Sequence, residues 1–152
     1  VIRSLRFRTL AHATEDENLI ESIFLSLLPP EGTFRKFRTK GHFGNPIIYF
    51  EGSVEKKCEK HLVELLSKLS DEDLDSLERT LEMRTDEEGT FHMRFDKQKA
   101  VDSELRLTDS SDAIAVSVKI VTYPLRKEKV IEEMRGKIEE ARILRSRNQV
   151  SG

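Results

Sequence analysis

Apolar and polar residues alternate from the start of the chain. In "RSLRFRTLAHA", Leu5, Phe7, Thr9 and Ala11 fall on one side and Arg6, Arg8 and His12 mostly on the other, the period of a strand with one buried face. The period lengthens in "ATEDENLIESIFLSLLPP". There Thr14 and Glu17 read as a capping box, and Leu19, Ile20, Ile23, Phe24, Leu27 and Leu28 make a helical stripe stopped by Pro29 and Pro30. "TFRKFRTK" returns to a period of two, with Lys36, Arg38 and Lys40 on one face and Phe37 and Thr39 on the other. "PIIYFEG" is apolar on both faces, which places it centrally in a sheet or against a partner, and the glycine-rich turn before it makes the two segments a hairpin.

Two helices are expected next. Val54, Cys58, Leu62, Leu65, Leu66 and Leu69 carry helical spacing, and Ser70 caps the acidic "DEDLDSLERTLEM". "TFHMRFD" alternates strictly with Phe91, Met93 and Phe95 inward, and "DKQKAVD" predicts a short helix capped by Asp96. A short strand around "LRL" and a strand with Ile114, Val116, Val118 and Ile120 inward follow. Pro124 opens a last helix buried through Val130, Ile131, Met134 and Ile138. Strands at both ends with helices between them predict an α+β fold, a mostly antiparallel sheet with helices packed on one face. Residues 1–145 are expected to form one domain and 146–152 a disordered tail.

Composition narrows the class. Charged residues make up 36% of the chain, but the apolar 37% falls in periodic segments, so the expectation is a globular protein and not a disordered one. A single cysteine, Cys58, rules out an intramolecular disulfide and a cysteine-based zinc cage and fits a reducing compartment. No apolar run approaches membrane-spanning length and the first residues lack a signal-peptide core, so a cytoplasmic location away from membranes is expected. The net charge of −2 hides an asymmetry: residues 55–88 hold twelve acidic and six basic side chains, which leaves sixteen acidic against twenty basic elsewhere. A formally acidic chain can therefore present a basic surface.

The candidate chemistry follows that surface. In "GHFGNP", Gly41, Gly44 and Asn45 can take positive φ and Pro46 can start a strand, so a hairpin turn explains the segment. Beside Arg38 and Lys40, the turn with His42 and Asn45 is also a place to hold a phosphate. "RFDKQKA" sets Arg94, Lys97 and Lys99 near the start of a capped helix. Basic residues recur on strands at Arg6 and Arg8, at Lys36, Arg38 and Lys40, at Arg94 and at Lys119; if these share a face, they form a patch suited to a polyphosphate backbone. A solvated polar face is the competing reading of the same pattern.

His12, His42, His61 and His92 lack the spacing of a helical metal site, so no metal is expected, and His61 reads as a packing residue. No Walker loop, dinucleotide fingerprint or nucleophile–base–orienter set can be named, so neither cofactor nor catalysis is expected; the nearest approach is an acid–base role for His42 or His92 with Asp96. Exposed aromatics are few, Tyr49 with Phe34, so any RNA is expected to be gripped by phosphate and shape.

Four segments, "AHATEDE", "GHFGNPI", "RFDKQKA" and "VTYP", in this order and spacing resemble an archaeal family of small proteins known as a domain of unknown function and described as RNA-binding or exosome-related. The resemblance spans most of the chain. It implies a fold like that of the large-subunit ribosomal protein that binds 5S rRNA, a homodimer, and an RNA-processing complex as partner. It places weight on His42, Gly44, Asn45 and Pro46 and on Arg94, Asp96, Lys97 and Gln98, and this chain departs from it at Ser103, where a glycine is expected. The resulting expectation is a non-catalytic RNA-binding protein using Arg6, Arg8, Lys36, Arg38, Lys40, His42, Asn45, Arg94, Lys97 and Lys99. The alternative is a homodimeric interaction module without specific RNA binding.

Overall fold

Strand β1 (Ile2–Ala11) obeys the alternation of its sequence: Leu5, Phe7, Thr9 and Ala11 are buried while Arg6 and Arg8 are exposed. In β5 (Ala113–Ile120), Ile114, Val116, Val118 and Ile120 point inward, and in β4 (Thr90–Asp96) Phe91, Met93 and Phe95 do. With β2 (Thr33–Lys40) and β3 (Pro46–Val54) these strands form one sheet in the order β2-β3-β1-β5-β4 in the computed structural model, which describes residues 1–151. All neighbouring pairs are antiparallel. β3, apolar on both sides, lies between β2 and β1, and β2 and β3 form the expected hairpin with Lys40 opposite Pro46.

Helices cover one face of the sheet: α1 (Glu17–Leu27), α2 (Cys58–Ser67), α3 (Asp71–Arg79), α4 (Leu81–Arg84), α5 (Lys97–Val101) and α6 (Lys127–Ser151). Their stripes, with Phe24, Leu62, Leu66, Leu74, Leu77, Met134 and Ile138 at the centre, close over Phe7, Phe50, Phe91 and Phe95 in one core. Each such side chain contributes roughly 1.5–3 kcal/mol by leaving water, so this face alone fixes the register of the sheet. The architecture is α+β, a five-stranded antiparallel sheet with helices packed on it.

Helix ends depart from expectation in instructive ways. Asp16, not Thr14, caps α1 by accepting from the Leu19 amide at 3.2 Å, which leaves Glu15 free for other work. The acidic helix divides at Thr80, whose hydroxyl donates to the Ser76 carbonyl at 2.7 Å. α6 starts at Lys127 and is helical through Ser151, where fraying was expected; of the expected tail, residue 152 lies outside the described residues.

The short helix α5 is capped by Asp96, as its sequence predicts, with Oδ1 accepting from the Lys99 amide at 2.9 Å. Its other end is a Schellman motif: Glu104 N–H donates to the Lys99 carbonyl at 2.9 Å and Ser103 N–H to the Ala100 carbonyl at 3.0 Å. The motif puts Ser103 at φ +62°, the left-handed region in which glycine is the ordinary choice. That is the physical reason for a glycine at this position, and here a serine holds the same turn.

Candidate functional site

The uncovered face of the sheet is ordered in cross-strand rows. In one row Arg35 opposes Glu51, Glu51 opposes Arg8, Arg8 opposes Ala115 and Ala115 opposes Arg94, so side chains from all five strands stand in line. The neighbouring row runs Ser53, Arg6, Ser117 and His92. Among the described residues, ion pairs take up cations such as Lys36, Arg38, Lys97, Arg106, Arg142 and Arg145. Arg6, Arg8, Arg35 and Arg94 enter none of them. Four guanidinium groups thus project from one face without a carboxylate within bonding reach, although Glu51 lies in register between two of them. Lys119 shares the face, but its ammonium donates to the Glu88 carbonyl at 2.6 Å.

The expectation that all the basic strand residues converge on this face is corrected at β2. Lys36 and Arg38 stand opposite Phe50 and Ile48, which point into the core, so they are on the helix-covered side. There the Lys36 ammonium meets Glu17 at 2.7 Å and Glu21 at 2.8 Å, and Arg38 grips both oxygens of Glu17 at 3.0 Å. The bond to Lys36 is the main cause that holds the Glu17 carboxyl below its usual range, and Lys36 is raised in return, chiefly by Glu17. Lys40 alternates onto the same side, while Arg35, Phe37 and Thr39 take the open face.

Lys97 is corrected too. It is 2% exposed, and its ammonium donates to the Leu10 carbonyl at 2.9 Å, to Glu15 at 2.9 Å and to Asp112 at 2.7 Å. It ties the β1 end to α5 and to the approach to β5, and it offers nothing to a ligand. Burial alone would raise the Asp112 carboxyl, but Lys97 and then His12 outweigh it and hold the group below the ordinary range. His12, Glu15 and Asp112 converge as a metal triad would, yet the cationic position among them is taken by this ammonium. Lys99, by contrast, is exposed on α5.

His42 and Asn45 sit in the exposed β2–β3 turn, closed by Gly41 N–H to the Asn45 carbonyl at 2.7 Å with Gly44 at φ +80°. The turn leaves the sheet at the corner nearest the aromatic row, and no hydrogen bond joins His42 to the arginine rows among the described residues.

Two features of the open face were missed in the sequence. Phe37 and Tyr49 are cross-strand neighbours whose rings stack at 5.2 Å with an interplanar angle of 8°, and the Arg35 guanidinium lies 5.0 Å from the Phe37 centroid. Phe34 is exposed as expected, at 39%, but it stands on the helix-covered side, where its ring neighbours Phe24 and Phe50. Next to the stack lies a depression of 370 Å³ lined by Tyr49, Leu10, Arg8, Arg94, Ala113 and Ala115 among others. The alternation of β2 could have revealed it only with the strand's facing known, because each face carries one phenylalanine.

The second missed feature is the partner of His92. Its Nε2 lies 2.9 Å from Asp86 and its Nδ1 3.3 Å from the Ser117 hydroxyl, so the carboxylate beside it is Asp86 and not Asp96. Asp86 sits below its ordinary range: burial pulls it up, and His92 with the Thr90 and Glu88 amides pulls it further down. An acid, an imidazole and a hydroxyl in line resemble a nucleophilic relay, but Ser117 is mid-strand, with its neighbours' backbone amides committed to the ladders with β1 and β4. What the arrangement offers is an oriented imidazole beside Arg6.

Comparison with known proteins bears on this face. A family model described as RNA binding matches residues 4–120. An RNA-binding protein of Pyrococcus abyssi is 36% identical over 139 residues, covering 87% of this chain and 90% of its own length. A solved structure from Archaeoglobus fulgidus, of the DUF54 group, is 37% identical with a TM-score of 0.79 over 90% of this chain and 99% of its own. A DUF54 protein of Methanothermobacter thermautotrophicus is 26% identical with a TM-score of 0.71 over 90% of this chain and 98% of its own.

Proposed function

We propose that this chain, which belongs to the RNA-binding family whose model its residues 4–120 match, holds RNA by its phosphates on the open face of the sheet, without catalysis. The observation that carries this reading is the set Arg6, Arg8, Arg35 and Arg94, drawn from three strands onto one face and, among the described residues, free of ion pairs. A guanidinium that a folded protein leaves unpaired on a flat surface has its fork of donors available for phosphate oxygens. His92, held by Asp86 and Ser117, stands in the row of Arg6 and borders the same surface. The exposed His42 and Asn45 of the β2–β3 turn extend the surface at its edge, while the exposed Lys40 stands on the helix-covered side and Lys99 on α5.

Fluorescence polarisation with single-stranded and structured RNA across a salt series tests the reading. Wild type is expected to show a steep fall of log affinity with log salt, about 0.7 per phosphate neutralised on single strands. Absence of binding at low salt overturns it. The homodimer and the RNA-processing complex that the resemblance implies are further proposals, tested by sedimentation over a concentration range and by recovery of defined processing subunits with the tagged chain.

A further inference from the structure

We infer that the depression beside Tyr49 seats one unpaired nucleotide of the bound RNA, its base against the tyrosine ring and its flanking phosphates on Arg8 and Arg94. The inference rests on the RNA reading above and specifies what kind of RNA the face selects. Phe37 covers Tyr49 from the β2 side, so the remaining ring face looks toward β1, where the depression lies. The floor is Leu10, Ala113 and Ala115, apolar and mostly small, which is why the surface dips there. Arg8 and Arg94 rise on either side of Ala115 as its partners in the two ladders. At 370 Å³ the space falls in the lower part of the roughly 300–1,000 Å³ range of small-ligand sites, the scale of one nucleotide.

The acidic groups at the rim fit the same occupant. Asp112 is neutralised by Lys97 at 2.7 Å, so it does not repel a phosphate. Glu51, on the other side of Arg8, is an acceptor for the N–H edge of a base or for a 2′-hydroxyl. A perfectly paired duplex keeps its bases stacked inside and would leave an apolar floor and an aromatic wall unfilled, whereas a bulged or looped nucleotide fills both. A free mononucleotide has the same chemistry. The RNA-borne source is favoured because Arg6 and Arg35 continue the cationic rows beyond what one nucleotide can reach.

The test uses the full chain and three probes: a matched RNA duplex, the same duplex with a single bulged 2-aminopurine, and the corresponding mononucleotide. The expected result is tighter binding of the bulged duplex by about tenfold, from the stacking of one base, with quenching of the 2-aminopurine. Ala115→Leu, which fills the depression and leaves every charge in place, is expected to erase the preference for the bulged over the matched duplex. Tyr49→Leu, checked for folding by circular dichroism, gives the same answer by removing the ring. Equal affinity of wild type for matched and bulged duplexes overturns the nucleotide seat and leaves the RNA reading standing; no binding of any RNA overturns both. Displacement of the bulged RNA's quenching by the mononucleotide at equal concentration reassigns the seat to free nucleotides and overturns the RNA-borne form.

Discussion

Arg8 on β1 and Arg94 on β4 are ladder partners of one and the same residue, Ala115 of β5. Two strand spacings, about 9–10 Å, separate their backbones, and the methyl group between them screens neither. At that distance in water their repulsion is only about 0.4 kcal/mol, so the fold can carry the pair without an anion.

Removing both arginines therefore changes binding and spares stability. Arg8→Ala with Arg94→Ala is expected to flatten the salt dependence on single-stranded RNA by about 1.4 in slope, two contacts at about 0.7 each. Lys36→Ala with Arg38→Ala is the matched control: the same charge is lost from the helix-covered side, where Glu17 already holds both. Its slope is expected to stay at the wild-type value. Parallel titrations of the two double variants check this.

Lys97→Met is expected to destabilise the fold. The substitution keeps the stem but removes the three hydrogen bonds that a buried ammonium gives to the Leu10 carbonyl, Glu15 and Asp112, leaving the two carboxylates, among the described residues, only their contacts with His12. Breaking a buried pair from one side costs about 3–5 kcal/mol at the upper end, and the exposure of Asp112 reduces that to about 2–3 kcal/mol. Urea unfolding monitored by circular dichroism reads the loss directly.

The same cluster gives the protein an acid-sensitive component. Asp112 has a folded-state pKa below its unfolded one, so the unfolded chain binds the proton first. Its contribution is complete above about pH 4, the ordinary value of a free aspartate, and is lost as the pH falls through the lower folded value. Urea midpoints measured below pH 4 are expected to fall more steeply for wild type than for Lys97→Met, in which Asp112 has lost its main partner.

Ser103→Gly is expected to stabilise. A non-glycine residue in the left-handed region costs about 1–2 kcal/mol, and glycine returns part of that through its unfolded-state entropy. A net gain of about 0.5–1 kcal/mol, seen as a higher thermal midpoint with unchanged RNA affinity, is the outcome that identifies the Schellman turn as strained.

The legibility of the sequence follows from how many faces of an element are committed. β1, β4 and β5 read cleanly because, Leu10 apart, each sends large apolar residues to the core and small or polar ones outward, so one period decides the side. β2 is an edge strand with Phe34 on one face and Phe37 on the other; its facing is set by Glu17 and Glu21 of α1, which no local pattern reveals. The burial of Lys97 was illegible for a related reason: its partners lie 82 and 15 residues away, and a lysine in a capped helix reads as solvated. The role of Asp96 as a cap was legible, being a matter of four neighbouring residues.

The division of charge across the sheet has a kinetic consequence. Residues 55–88, twelve acidic against six basic, run mainly through α2, α3 and α4 on one side, while the unpaired arginines stand on the other. Toward a polyanion the molecule is an oriented dipole: collisions on the helical side are turned away, and the long-range torque rotates the sheet toward the incoming strand before contact. Encounter is thereby filtered by angle, so a chain that is negative in total meets RNA with its positive side first.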